Sequence, residues 1–132
     1  MSIPQTACDS LREQAKDWAR RGSPRAALAA TYLAQFVPGA DRFTRERMLP
    51  QERKRFQEQF DEAGETCPTP FQEVFDLYLA QAEVQAAAGR RRYAADRMID
   101  FLRRFADAPD ALIQAAGVHV ERFNLEPARP KP

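Results

Sequence analysis

The chain has 132 residues, a net charge of +1 at neutral pH, and 44% hydrophobic and 30% charged side chains. This length is enough for one domain with a buried core, and the charge balance excludes both a strongly basic nucleic-acid coat and a strongly acidic protein. Because alanine dominates the apolar residues and has the highest helix propensity, the composition favours an all-α fold. The 17 arginines against 3 lysines are typical of a GC-rich bacterial host.

The first two predicted helices form a hairpin. The first helix runs over residues 6–21, where apolar residues recur at helical spacing. Gly22 ends it, and Ser23 and Pro24 supply an N-cap and a first-turn residue for a second helix over residues 24–37. This second helix is apolar almost all round, which is typical of a helix at the centre of a bundle.

Further helices are predicted along the rest of the chain. Thr44 is placed to cap a short turn before a third helix over residues 50–63, and Thr69 to cap a fourth helix that ends at Gly89. A fifth helix covers residues 91–106, and a short sixth ends at Gly117 before a last turn over residues 118–124. The sequence therefore predicts a single all-α domain over residues 1–125, as a five- or six-helix bundle or a short stack of antiparallel helical hairpins. Residues 126–132 are Pro-rich and are predicted to form a flexible tail.

One segment, a helix, a glycine turn and a second helix, occurs twice. Up to the glycine the two copies are 67 residues apart, and beyond it they are 68 apart. The matched residues are Ala15 with Ala82, Ala19 with Ala86, Gly22 with Gly89, Ala26 with Ala94, Ala27 with Ala95, Leu33 with Phe101 and Val37 with Phe105. Repetition of such a unit is typical of scaffolds that bind other macromolecules.

The two copies resemble tetratricopeptide repeats. The residues that carry the resemblance are Leu11, Ala15, Trp18, Gly22, Ala27, Ala34 and Pro38 in the first copy, and Tyr78, Ala82, Gly89, Ala94 and Met98 in the second. The second copy departs from the family at Gln85, where an aromatic residue is usual, and at Phe101, where a small one is. The resemblance implies a stacked helical scaffold with a protein partner. The alternative is a generic bundle in which small residues recur because helices cross there.

Charge is divided along the chain. Residues 56–89 contain seven acidic and no basic residues, whereas residues 42–55 contain six basic and two acidic ones. The candidate nucleic-acid-binding residues in these and the following basic segments are Arg53, Lys54, Arg55, Arg90, Arg91, Arg92, Arg97 and Arg104. Arginine suits contact with phosphate, because its planar group donates paired hydrogen bonds. The alternative is that the acidic and basic segments neutralise each other as ordinary surface pairs.

The fourth helix has the clearest apolar stripe. Phe71, Phe75 and Tyr78 make it more aromatic than a small bundle needs. These three residues are candidates for a protein-docking face, with a place in the core as the alternative.

No pattern for catalysis, a metal or a cofactor is found. Cys8 and Cys67 are too far apart for a zinc or redox motif and are expected to be reduced thiols. The chain has one histidine, His119, and no phosphate-binding loop or nucleophile elbow. Asp96 and Asp100 share a helical face with arginines, which favours a salt-bridged surface.

Residues 111–123 resemble the helix-turn-helix of bacterial regulators, with Gly117 in the turn. Because Pro127 follows so closely, a capping hairpin is favoured instead. The sequence contains no transmembrane run and no secretory signal, so a cytoplasmic location without a membrane partner is predicted.

These observations favour a non-enzymatic helical interaction module, or a small subunit of a larger bacterial assembly, that binds a protein partner. The alternative is a small nucleic-acid-associated subunit of a ribonucleoprotein or DNA-binding complex that uses the arginine clusters.

Overall fold

The computed structural model describes residues 3–125, and within this range the chain is helical and has no strand. The predicted all-α fold is therefore confirmed. The chain divides into two compact units, Met1–Pro70 and Phe71–Pro132. The single domain over residues 1–125 stays a prediction, since two compact units can still unfold together. The predicted flexible tail, residues 126–132, lies outside the described residues.

The first unit contains α1 (Ile3–Arg21), α2 (Pro24–Gln35) and α3 (Leu49–Ala63), with a π-helical turn (Thr44–Met48) that leads directly into α3. Helix α2 packs against both α1 and α3. Its small side chains allow this close approach on two sides, as its apolar character predicted. The buried core residues of the three helices include Cys8, Leu11, Ala15, Trp18, Ala26, Ala27, Ala30, Leu33, Leu49 and Phe56.

The turn between α1 and α2 is a Schellman motif. Gly22 has a φ of 105°, and the Ser23 amide donates to the Trp18 carbonyl at 2.9 Å. The Ser23 hydroxyl then accepts a hydrogen bond from the Ala26 amide at 3.3 Å, which confirms Ser23 as the N-cap of α2.

A carboxylate from the end of the first unit completes the start of α2. Glu65 accepts a hydrogen bond from the Arg25 amide at 2.7 Å through Oε1, and from the Ser23 hydroxyl at 2.7 Å through Oε2. Thr69 donates its hydroxyl to the same carboxylate at 2.9 Å. Next to it, the Thr66 amide donates to the Gly22 carbonyl at 2.8 Å. The negative charge therefore lies at the N-terminus of α2, where the helix dipole stabilises it.

The third helix begins at Leu49, one residue before the predicted start at Pro50, and the short helical turn predicted before it is the π-helical turn. Helical structure begins at residue 42, passes through the π-helical turn, and continues past Pro50 to Ala63. Proline has no N–H to donate, and its ring presses on the preceding turn of a regular α-helix. In the wider turn before it, the Leu49 amide donates to the Thr44 carbonyl, five residues back. This turn gives the ring room, so the helix continues.

The second unit contains α4 (Phe71–Ala87), α5 (Arg91–Arg104) and α6 (Asp110–Leu125). Helix α5 packs against α4 and α6, and α4 also contacts α6. The turn between α4 and α5 repeats the geometry of the first unit, since Gly89 has a φ of 81° and the Arg90 amide donates to the Gln85 carbonyl at 2.9 Å. The two predicted hairpins are therefore both present, while their assignment as tetratricopeptide repeats stays a prediction.

The prediction that Gly117 ends a short sixth helix is wrong. Helix α6 passes through Gly117 without interruption, and this glycine lacks the positive φ of a turn residue. A glycine inside a helix costs only about 1 kcal/mol relative to alanine, which packing against α5 offsets. Without a turn at residue 117, the segment forms neither a helix-turn-helix nor a capping hairpin.

Candidate interaction surfaces

Two of the three aromatic docking candidates lie in the core of the second unit. Phe75 and Tyr78 are buried, and their ring centroids lie 5.4 and 5.6 Å from that of Phe101. Phe71 is half-buried, with its ring edge-on to Phe105 at 6.2 Å. These rings pack against other rings of the same unit, so the side chains of Phe75 and Tyr78 are not available on its surface.

The Tyr78 hydroxyl has a defined partner in the same unit. It donates to Asp100 Oδ2, and Asp100 also accepts from Arg104 Nε at 2.9 Å. Arg104 thus forms an ion pair with the carboxylate four residues before it on α5. The predicted salt-bridged surface is confirmed at Asp100.

The basic residues of α5 do not form one surface. Arg90 and Arg92 are exposed, but Arg97 is buried. Arg91 donates from Nε to the Phe123 carbonyl at 3.3 Å and from Nη2 to the Arg122 carbonyl at 3.2 Å, so it binds the carbonyl end of α6. Within this predicted group, Arg90 and Arg92 are exposed, while Arg91 and Arg97 have structural positions.

The second basic group lies on the outer side of α3. Arg53, Lys54 and Arg55 are exposed and form no ion pair within the described part of the chain. The side chain of the neighbouring residue Glu52 points toward α1 and is buried. All three predicted cations are therefore available to a partner.

Glu52 belongs to a polar cluster that joins α1 to α3. Arg12 donates from Nε to Glu52 Oε1 at 3.1 Å and from Nη2 to Oε2 at 2.7 Å, and its Nη1 reaches Asp9 at 3.1 Å. The hydrogen bond to Glu52 raises the pKa of Arg12 above its already high usual value, although burial opposes this. The guanidinium therefore remains charged at any pH at which the protein is folded.

The first unit has one end at which α1 begins and α2 ends. This end carries a surface that the sequence analysis did not predict. Three large apolar side chains are exposed there: Ile3 at 86%, Phe36 at 38% and Phe43 at 62%. We call these three residues the apolar end. Phe43 lies between the second and third predicted helices, and its only local signal is an aromatic residue among charged ones.

Hydrogen bonds hold the backbone of the apolar end in place. The Asp41 amide donates to Gln5 Oε1, and Gln5 Nε2 donates to the Thr44 hydroxyl at 3.4 Å. Asp41 in turn accepts from the Thr44 amide at 3.1 Å, and Arg45 Nη2 donates to the Val37 carbonyl at 3.0 Å. The loop after α2 is thereby joined to the first turn of α1, and the exposed side chains project from ordered backbone.

A shallow groove of about 520 Å³ runs along α1. Its carboxylates are Asp9, Glu13 and Asp17, which lie one helical turn apart. Each already pairs with a cation on the same helix, at Arg12, Lys16 and Arg21 respectively. The groove therefore offers little uncompensated charge to a ligand.

The cysteines and the histidine have ordinary surroundings. Cys8 is buried and its Sγ lies 3.6 Å from the Ala34 carbonyl, and this burial raises the pKa of the thiol. Both cysteines are free thiols. Burial, followed by the charge of Arg122, lowers the pKa of His119, while Glu83 acts in the opposite direction. The His119 ring packs near Phe75 and Phe123.

Among residues 3–125, no three His, Cys, Asp or Glu side chains are grouped to hold a metal ion. None of the described helices is long and apolar enough to cross a membrane. Comparison of the chain with protein-family models, curated proteins and solved structures finds no match.

Proposed function

We propose that this chain is a non-enzymatic interaction module of a larger bacterial assembly, with the cytoplasm as its location, and that it binds a protein partner. The observation that carries the proposal is the apolar end, where Ile3, Phe36 and Phe43 are each exposed and the loop after α2 is hydrogen-bonded to the first turn of α1.

Exposed apolar side chains that cluster beside polar residues are typical of protein interfaces. Interface energy is concentrated in a few anchoring side chains, among which aromatic residues are prominent. Because the backbone beneath the apolar end is already held by hydrogen bonds, a partner would lose little free energy in ordering it. The pair of helical hairpins, with its resemblance to tetratricopeptide repeats, also supports a binding role.

The test is capture of partners from nuclease-treated lysate of the host, with the wild-type chain compared with Phe43→Ser. The matched control is Val118→Ser, because Val118 is 63% exposed but lies on α6 of the second unit. We expect a specific protein to be retained by the wild type and the control and lost by Phe43→Ser. Equal retention by all three would contradict docking at the apolar end, provided that circular dichroism shows each variant to be folded.

Nucleic-acid binding is the second candidate, because Arg53, Lys54 and Arg55 are exposed without ion pairs in the described chain. It predicts that a labelled oligonucleotide binds the wild type, that affinity falls steeply with salt, and that replacing these three residues by alanine removes binding. Binding of the protein partner that survives nuclease, together with no binding of the oligonucleotide by the wild type, would argue against it.

A further inference from the structure

The carboxylates near the apolar end are all engaged within the first unit. Asp41 accepts from the amide and hydroxyl of Thr44, and Glu46 accepts from Arg42 at 2.7 Å. Asp9 and Glu52 both bind Arg12. Asp9, Glu46 and Glu52 are therefore paired with cations, whereas Asp41 is hydrogen-bonded to neutral groups and keeps its charge.

Several cations on the helix that follows Phe43 have no such partner. Arg47, Arg53, Lys54 and Arg55 are exposed and make no ion pair between residues 3 and 125. Arg47 follows Phe43 by about one turn, and Lys54 follows Arg47 by two turns, so these three side chains share one face of a continuous helix. A partner that covers Phe43 and extends along this face meets positive charge.

We infer that the partner segment is acidic and amphipathic: its apolar side chains cover the apolar end, and its carboxylates lie against Arg47, Lys54 and the neighbouring Arg53 and Arg55. This inference rests on the proposed function and specifies the partner of the same surface. Apolar contacts supply most of the affinity, while the charges select the partner and increase the rate of association.

A nucleic acid fits this surface less well than an acidic peptide. Immediately beyond the cations, α3 exposes Glu58, Asp61 and Glu62, which repel a phosphate backbone that continues along the helix. The positive stretch from Arg47 to Arg55 spans only about 12 Å at the helical rise per residue. A peptide can place its carboxylates over this short stretch and end there.

The experiment is selection of a phage-displayed library of random peptides on the immobilised full-length chain. One enriched peptide is then synthesised, and its affinity is measured by fluorescence anisotropy. The three variants are Phe43→Ser, the double substitution Arg47→Glu with Lys54→Glu, and the control Arg92→Glu with Arg103→Glu. The control makes the same change in net charge at exposed positions of the second unit. Thermal unfolding by circular dichroism identifies any variant that is destabilised.

We expect the enriched peptides to combine several Asp or Glu residues with aromatic or aliphatic ones. Phe43→Ser and the first-unit charge variant should each weaken binding by about tenfold or more, as for the loss of an interface anchor, and the control should not. Should Phe43→Ser unfold the chain, Phe43→Leu, which keeps an apolar side chain without the ring, replaces it and should weaken binding less.

Three results would overturn the inference. If the enriched peptides are neutral or basic, or the first-unit charge variant binds like the control, the acidic partner is wrong, but docking at Phe43 stands. If no enriched peptide depends on Phe43, the docking surface itself is wrong and the proposed function fails with it. If a labelled oligonucleotide competes with the peptide and binds more tightly, the partner is a nucleic acid.

Discussion

The two units share a turn geometry but hold their helices together differently. In the first unit, charged side chains join elements that are distant in sequence, as in the pairing of Arg12 with Glu52 and the contact of Glu65 with the start of α2. The second unit also has such a pair, Arg122 with Glu83 at 2.7 Å, but its core is made of rings: Phe75, Tyr78 and Phe105 all pack around Phe101.

This difference shows that a common hairpin shape does not require a common source of stability. Ring packing contributes in proportion to the apolar area that it buries, with a further gain of about 0.5–1.5 kcal/mol from edge-to-face geometry. A buried ion pair adds little net stability compared with apolar packing, but leaving one of its members without the other is costly. We therefore expect the second unit to be sensitive to loss of volume and the first to loss of a hydrogen-bonding partner.

The largest expected effect is on the second unit. Phe101→Ala should lower the free energy of unfolding by about 3–5 kcal/mol, because it removes a fully buried ring from contact with three others. Urea unfolding followed by far-ultraviolet circular dichroism measures the change. Tyr93→Ala, on the exposed side of the same helix, is the control and should have a small effect.

The same titration tests whether the chain is one cooperative domain. Trp18, the only tryptophan, lies in the first unit, so its fluorescence reports on that unit alone. If Phe101→Ala shifts the fluorescence transition as much as the circular dichroism transition, the units unfold together. If the fluorescence transition does not move, the single-domain prediction is wrong.

Loss of Glu52 should have the next largest effect. Glu52→Ala should destabilise the chain by about 3 kcal/mol, at the low end for a broken buried pair because Arg12 keeps Asp9 as a partner. Trp18 fluorescence during urea unfolding is the measurement. The double substitution Arg12→Met with Glu52→Leu should recover most of the loss, because it removes both charges together. A double variant no more stable than the single one would contradict this account.

The matched turn glycines provide a smaller and more direct comparison. Gly89→Ala should lower the free energy of unfolding by about 1–2 kcal/mol, because alanine is strained at a positive φ. No further cost is expected, because open space surrounds the position of an added Cβ. Gly22→Ala should cost more, because its Cβ would also collide with the Thr66 side chain. Urea unfolding of both variants gives the difference. In a Thr66→Ala background the two costs should converge, and equal costs without that change would contradict the collision.

The smallest expected effect is a pH dependence of the second unit. Burial and Arg122 lower the pKa of His119 from its ordinary 6.5, so the folded state favours the neutral ring. The resulting stability is present above pH 6.5 and is lost as the pH falls through the lowered pKa of the folded state. An NMR titration of the single histidine should give a pKa below 6.5, and His119→Asn should remove this part of the pH dependence. A pKa at or above 6.5 would contradict the prediction.

Local features of the fold were predictable from the sequence. Gly22 and Gly89 end helices because each adopts a positive φ, and Ser23 caps α2 with its own hydroxyl. These assignments depend on residues within one or two turns of each other, for which residue type and spacing are sufficient. Gly117 was misread for the same reason, since packing against α5 overrides its local preference.

The candidate sites were less predictable, because exposure depends on contacts between distant segments. Arg97 and Arg104 are seven residues apart and share a helical face by spacing, yet Arg97 is buried while Arg104 is exposed. Glu52 is 40 residues from Arg12, and no local pattern connects them. Phe43 is exposed although it is aromatic, and only the arrangement of α1 and the loop after α2 shows that it lies at a surface.

The contact of Glu65 with the start of α2 also has a consequence for the order of folding during synthesis. When only residues 1–63 have emerged from the ribosome, both helices of the first hairpin are outside it, but the carboxylate that binds the Ser23 hydroxyl and the Arg25 amide is not. The hairpin then reaches its full stability only when a segment 42 residues beyond Ser23 has emerged. Folding of the first unit is therefore expected to finish late in its translation, as α3 and the following turn become available, rather than helix by helix.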